Sequence, residues 1–227
     1  MADIHGTDSN DNLYGTPLAD NIHAYGGDDS GFAEEGDDYV EGGEGNDYID
    51  GREGHDALFG FSGNDSLSGY SGSDYLYGEA DNDDLYGEAD NDHLYGGNGN
   101  DWLHGGDGPD TLDGGDDEDT LDGGYEQDSL TGGAGKDIFD FNSVSDSPVG
   151  ANDTIYDFKW EEGDRIDLST IDADVNWWAV GDQAFSSSQL SYNSSSGILT
   201  ADVYGGEDLQ IALAGVTAFV PSLEVIA

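Results

Sequence analysis

From Gly6 to Asp140 the chain repeats every nine residues, without a gap, fifteen times. The eighth position of each unit is apolar: Leu13, Ile22, Val40, Ile49, Leu58, Leu67, Leu76, Leu85, Leu94, Leu103, Leu112, Leu121, Leu130 and Phe139, with Gly31 as the exception. The sixth position is Asp in every unit, from Asp11 and Asp20 through to Asp128 and Asp137. The first position is Gly in thirteen units, with Ala24 and Ala33 departing, and the fourth is Gly in nine. Six residues rich in Gly and Asp predict a turn, because these types best tolerate positive φ. The last three predict a short strand whose middle side chain points inward and whose neighbours point outward. One inward residue per nine cannot form a core, but stacked coils can. Two nonamers per coil give two facing parallel sheets over 7.5 coils. At ~4.8 Å per coil the stack is about 36 Å long.

Composition tests this reading. The chain has 227 residues, 52 Asp plus Glu, 4 Lys plus Arg, a formal charge of −48 and 35% hydrophobic residues. Such a balance usually means disorder, because too little apolar surface is buried to offset chain entropy. Nucleic acid is excluded as a partner by the scarcity of Lys and Arg, and an anionic membrane surface for the same reason. With no Cys there are no disulfides and no thiolate zinc sites. No apolar run is long enough for a membrane span, and Met1-Ala-Asp-Ile-His5 lacks the basic and apolar regions of a cleaved signal peptide.

Turns two units apart lie one above the other in such a roll. One edge then carries Asp11, Asp29, Asp47, Asp65, Asp83, Asp101, Asp119 and Asp137; the other carries Asp20, Asp38, Asp56, Asp74, Asp92, Asp110 and Asp128. Carboxylates about 4.8 Å apart repel, and a cation in each gap reverses that term. Carboxylate and carbonyl oxygens are hard ligands, and several of them in a flexible turn suit Ca²⁺ better than Mg²⁺. Eight turns leave seven gaps on one edge and seven leave six on the other, a ceiling of thirteen ions. The two sites that start at Asp11 and Asp20 are discounted, because Ser9 and Leu18 stand where Gly is expected, with Pro17 beside the latter. About eleven Ca²⁺ remain. The fourth position also departs from Gly at Asp81, Asp90, Asp117 and Glu126. Asp tolerates the turn; Glu126 fits less well, but its turn is expected to be the last on its edge. Residues 1–140 hold 38 acids and 2 bases, so folding is expected only with calcium present.

The unit Gly42-Gly-Glu-Gly-Asn-Asp-Tyr-Ile-Asp50 resembles the RTX nonapeptide, and the resemblance covers all fifteen units. It implies an all-β fold, a parallel β-roll: a right-handed β-solenoid of two nonapeptides per coil. It also implies a ligand set. Each ion takes the carbonyls of positions two and four and the sixth-position Asp of one turn. It takes the carbonyls of positions one and three and the Asp of the turn two units on. On one edge the sites become Tyr25, Gly27 and Asp29 with Gly42, Glu44 and Asp47, followed by Gly43, Gly45 and Asp47 with Gly60, Ser62 and Asp65. Next come Phe61, Gly63 and Asp65 with Gly78, Ala80 and Asp83, and Glu79, Asp81 and Asp83 with Gly96, Asn98 and Asp101. Gly97, Gly99 and Asp101 then meet Gly114, Asp116 and Asp119, and Gly115, Asp117 and Asp119 meet Gly132, Ala134 and Asp137. The other edge begins with Glu34, Gly36 and Asp38 against Gly51, Glu53 and Asp56, then Arg52, Gly54 and Asp56 against Gly69, Ser71 and Asp74. It continues through Tyr70, Gly72 and Asp74 with Gly87, Ala89 and Asp92, and through Glu88, Asp90 and Asp92 with Gly105, Asp107 and Asp110. It ends at Gly106, Gly108 and Asp110 with Gly123, Tyr125 and Asp128. Arg52 serves through its carbonyl alone.

The phase stops at Asp140, which divides a roll (1–140) from a β-rich capping and secretion-signal region (141–227). Asn152–Phe158, Asp164–Ala173, Gly197–Tyr204 and Asp208–Ala214 read as strands, with Gly205-Gly206 as a hairpin turn. Trp160, Trp177, Trp178 and Phe185 are expected in the core or cap. Asn152-Asp-Thr-Ile155, Asp157-Phe158, Asp164-Arg-Ile-Asp-Leu-Ser169 and Ala184-Phe185 resemble the C-terminal part of serralysin-type RTX exoproteins. That resemblance makes the tail Leu223-Glu-Val-Ile-Ala227 an uncleaved type I export signal and the protein extracellular. Met1 and this tail fit a whole gene product; a part of a larger exoprotein fits equally.

No catalytic constellation emerges. His5, His23, His55, His93 and His104 are each followed by a residue other than Glu, so no H-E-x-x-H exists. The G-x-S-x-G elbow and Walker spacing are absent too. Outward aromatics line both sheets: Tyr39, Phe59, Tyr75, Tyr77 and Tyr95 on one, Tyr48, Tyr86 and Trp102 beside His104 on the other. They stabilise a sheet by cross-strand pairing, or offer a platform for sugar rings. The leading expectation is a secreted, non-catalytic calcium-binding roll, with calcium and a type I exporter as partners. The alternatives are a calcium-dependent polysaccharide-binding module, the C-terminal part of a larger RTX exoenzyme, and an unfamiliar hydrolase.

Overall fold

A computed structural model describes residues 1–143, 145–169, 171, 190–201, 208–216 and 225–226. The nonamers build a parallel β-roll. Among the described residues strands alternate between two sheets, one of twelve and one of ten strands, and through the repeat each strand pairs with the one two places on. The register is one full coil, two nonamers, throughout the repeat: Asp3↔Asn21, Val40↔Leu58, Leu76↔Leu94 and Leu103↔Leu121.

The strands are longer than the expected three residues. Most span six, as in Ala57–Ser62 and Tyr75–Ala80, and so take in positions one to three of the next unit. The ladder skips position one and resumes at positions two and three, as in Gly43↔Phe61 and Glu44↔Ser62. Stacking identical backbones in register satisfies amides and carbonyls there whatever the side chain. The strand therefore bends at position one instead of ending.

Inward residues from both sheets form one continuous column: Ile22, Val40, Leu58, Leu76, Leu94, Leu112 and Leu130 face Leu13, Ile49, Leu67, Leu85, Leu103, Leu121 and Phe139. At Gly31 the missing side chain is compensated by Val40, whose Cγ1 lies 3.4 Å from where a Cβ would stand.

Beyond Asp140 the roll geometry continues on longer coils. Thr154–Ile155 pairs in parallel with Ser129-Leu130, and Arg165–Asp167 with Ile138–Asp140. Leu209–Leu213 adds to the larger sheet and starts an antiparallel meander with Ile198–Ala201 and Leu190–Asn193. Val225–Ile226, within the expected export tail, pairs in parallel with Ile166-Asp167 and ends the smaller sheet. This end is filled by Phe141, Phe158, Leu168, Leu199 and Ile211. Trp160 does not join it: it stands in a turn, 52% exposed. The turn residues that precede Asp164 face outward, so a bulky apolar residue there meets water. Trp177, Trp178, Ala184, Phe185, Gly205 and Gly206 lie outside the described residues. Among the described residues no helix is long and apolar enough to cross a membrane.

Truncating one rung of the column leaves a void that the rungs above and below cannot fill. Leu85→Ala should lower the stability of the calcium-loaded protein by about 3 kcal/mol, read from urea unfolding; an unchanged midpoint would refute the packed column.

Candidate metal centre

The sixth-position Asp residues stand in two rows, one along each edge, and nearly all are buried. Each is tied to the next turn by one carboxylate oxygen. The amide of Asp47 donates to Asp65 Oδ1 at 2.7 Å, that of Asp65 to Asp83 Oδ1 at 2.8 Å, and that of Asp92 to Asp110 Oδ1 at 2.7 Å. The other oxygen is different. Oδ2 of Asp29, Asp38, Asp47, Asp56, Asp65, Asp74, Asp83, Asp92, Asp101, Asp110, Asp119, Asp128 and Asp153 is buried with no hydrogen-bond partner. Thirteen unpartnered anionic oxygens would cost several kcal/mol each if left charged and alone.

Each of these oxygens is held close against its own turn. A Cβ placed on Gly42 would stand 2.3 Å from Asp47 Oδ2, and one on Gly60 2.3 Å from Asp65 Oδ2. Gly at position one gives the carboxylate room; Ala24 and Ala33 are the two units in which a Cβ stands there instead. Position four is tighter: a Cβ on Gly54, at φ +147, would lie 1.4 Å from the Gly36 carbonyl oxygen of the turn below. Positive φ also occurs at position two, which the sequence left unremarked. Tyr25, Glu34, Arg52, Phe61, Tyr70, Glu79 and Glu88 all adopt it at φ 70–80°. So do Asp81, Asp90, Asp117 and Glu126 at position four.

Electrostatics agree with geometry. Burial, opposed by the amide of the preceding Asp and reinforced by neighbouring carboxylates, pushes Asp56, Asp83, Asp110 and Asp119 up to about 8. Asp65, Asp74, Asp92 and Asp128 rise to about 7. Without a cation these rungs prefer a proton. Carboxylate oxygens in pairs, with backbone carbonyls beside them, are a hard donor set suited to Ca²⁺.

Comparison with known families decides the matter. Residues 38–217 match the family "Peptidase M10 serralysin C terminal", and residues 5–40 match the "RTX calcium-binding nonapeptide repeat". The chain belongs to the serralysin C-terminal family. Its repeats are calcium-binding RTX nonapeptides. No curated protein matches it. Among solved structures, the AlgE6R3 subunit of the Azotobacter vinelandii mannuronan C5-epimerase is 29% identical, over 66% of this chain and 80% of that one, with a TM-score of 0.32. The AlgE6R2 subunit from the same epimerase is 19% identical, over 98% and 90%, with a TM-score of 0.30.

In this serralysin-type roll the Asp rows run further than the nonamers do. The Asp128 amide donates to Asp153 Oδ1 at 2.9 Å, across 25 residues, and the Asp137 amide to Asp164 Oδ1 at 3.3 Å, across 27. The turn at Glu126 is therefore not the last on its edge. Asp153 is fully buried, and burial pushes it up to about 9. These rungs escape the nonamer because longer insertions separate them from the repeat; the signal available was an Asp before each later strand.

At the other end the first two rungs close on themselves. Thr7 donates to Asp11 Oδ2 from its amide (2.7 Å) and its hydroxyl (2.8 Å), and Thr16 does the same to Asp20 Oδ2 at 2.7 Å from both. Leu18 is spared the strain anticipated for it: it stays out of the positive-φ region and its amide turns back to Thr16 O at 2.7 Å.

Position five carries a second ladder. The amides of Asn64, Asn82 and Asn100 donate to the side-chain oxygens of Asn46, Asn64 and Asn82 at 2.8, 3.0 and 2.7 Å. These links are exposed and continue to Asp28 below and Glu118 above, so they bind turns of one edge together without metal.

The raised carboxylates set the pH behaviour of the calcium-free roll. The unfolded carboxyls titrate near the ordinary value for Asp, and the compact ones near 6–8. Protonation thus favours the compact metal-free state, fully below about 4, and that support is lost as pH rises through 6–8. In EDTA, far-UV circular dichroism should show more β-structure at pH 5 than at pH 8; equal coil at both would contradict it.

Proposed function

We propose that this chain is a secreted, non-catalytic RTX calcium-binding roll that folds when it meets extracellular calcium after type I export. The row of buried, unpartnered Asp Oδ2 atoms carries this reading. Each oxygen faces a gap that a divalent cation fills, with the position-one to position-four carbonyls named above completing its shell. The eleven gaps expected from the repeat are joined by the one between Asp128 and Asp153, so about twelve ions are accommodated. With 38 acids against 2 bases in residues 1–140, the empty roll repels itself. Low cytosolic calcium keeps the chain export-competent, and roughly millimolar calcium outside compacts it.

On this reading residues 1–140 form the metal-dependent roll, and 141–227 form a cap that carries the export signal. The same architecture serves as the C-terminal part of a larger exoenzyme. The absence of H-E-x-x-H and of a nucleophile elbow from the sequence supports a role without catalysis.

A glycan platform gains less support. On the larger sheet Phe59, Tyr77 and Tyr95 stack face to face, with centroids 4.7 and 4.9 Å apart and planes within 5–6°. Their faces are spent on one another, as cross-strand pairing requires, and the ring edges are left for a ligand.

Chelated protein should give a coil spectrum at pH 8 and gain β-structure at millimolar calcium. Asp65 borders two gaps, towards Asp47 and towards Asp83. Asp65→Ala should raise the calcium midpoint several-fold and remove about two ions. An unchanged midpoint would defeat the shared-ligand scheme.

A further inference from the structure

The last gap on the edge that ends at Asp137 differs from every gap below it. Its upper turn runs from Lys159 to Asp164, which places Lys159 at position one, where the upper turn of each of the eleven repeat gaps has Gly. Lys159 Nζ donates to the Gly133 carbonyl at 2.6 Å. Gly133 occupies position two of the turn below, whose carbonyl is a calcium ligand in the scheme above. The Lys159 amide meanwhile donates to Asp164 Oδ2 at 2.6 Å. That is the oxygen left unpartnered in thirteen other rungs. Asp157 clamps the same lower turn: its two oxygens accept the Gly132 and Gly133 amides at 2.9 and 2.8 Å. Asp157 also lies 3.9 Å from the Lys159 ammonium, and Glu162 lies 3.2 Å from it.

We propose that Lys159 takes the place of calcium in the gap between Asp137 and Asp164: its ammonium holds the Gly133 carbonyl and its amide holds Asp164 Oδ2, two of the oxygens a metal there would collect. The physical ground is substitution of like for like. An ammonium is a compact point charge with three donors; here it serves the Gly133 carbonyl that a metal would otherwise collect, with Glu162 and Asp157 as its carboxylate neighbours. It carries half the charge of Ca²⁺, and the amides given to Asp157 and Asp164 supply the remaining donors. The other row has no such residue: Asp153 keeps its bare Oδ2. The two edges therefore end differently, one on a lysine and one on a metal site.

This inference rests on the calcium ladder, and the same measurement separates the two. Native mass spectrometry of the calcium-saturated full chain counts bound ions. If wild type binds none, the ladder itself fails. If the ladder holds, Lys159→Met should bind one ion more than wild type, because loss of the ammonium frees the Gly133 carbonyl for a metal and leaves the gap's negative charge uncompensated. Lys159→Arg, which keeps the charge, should match wild type. Equal counts for a folded Lys159→Met and wild type would overturn the proposal. Should Lys159→Met fail to fold, anomalous scattering from a calcium-soaked wild-type crystal decides. Nitrogen density on the Gly133 carbonyl with no anomalous peak between Asp137 and Asp164 supports it; a peak there overturns it.

Discussion

Everything in this roll depends on how two rows of buried carboxylates are kept from repelling one another. Parallel stacking in register brings equivalent Asp residues to the same edge on every coil. The backbone meets half of the demand, since each Asp gives its amide to Oδ1 of the next rung. The other oxygen has no donor in the protein. On the reading proposed above, the calcium that RTX repeats bind supplies what these oxygens lack. A fold with so little apolar surface would otherwise lack the burial needed to offset chain entropy.

Where the metal stops, the protein substitutes its own donors, and it does so by local means. Thr7 and Thr16 hydroxyls satisfy the first two rungs. At the far end of one edge the Lys159 amide bonds Asp164 and its ammonium the Gly133 carbonyl, while Asp157 accepts the Gly132 and Gly133 amides. That edge alone has such turns at both ends; the other runs out at the bare Oδ2 of Asp153. The exposed Asn row adds a further calcium-independent tie along one edge.

The outward faces follow the same economy. Phe59, Tyr77 and Tyr95 occupy position nine on successive coils, and the short coil rise stacks them ring on ring, while Tyr39, at position seven, meets Phe59 at a tilt. On the smaller sheet the position-nine row runs through Asp50, Ser68, Tyr86, His104 and Asp122. There His104 pairs with Asp122 at 3.2 Å, and that bond holds its imidazole above the usual histidine range. In a solenoid any side chain meets its own copy one coil away, so sequence choices at a single position propagate along the whole face.

The nine-residue period by itself determined the coil, the two-nonamer register, the inward column and the two Asp edges, because strict repetition in register leaves one way to stack. The resemblance of Gly42–Asp50 to an RTX unit supplied the metal. Tertiary structure alone decided three matters. It carried the strand through positions one to three, since backbone pairing there ignores side-chain type. It enlisted Asp153 and Asp164 as rungs, because loops of unequal length can deliver an Asp to the same edge without keeping its period. It also showed which carboxylates already have donors: Asp11 and Asp29 look alike in sequence, yet Thr7 bonds Oδ2 of the first while that of the second is bare. Hydrogen bonding is settled by neighbours in space, and a period in sequence names only half of them.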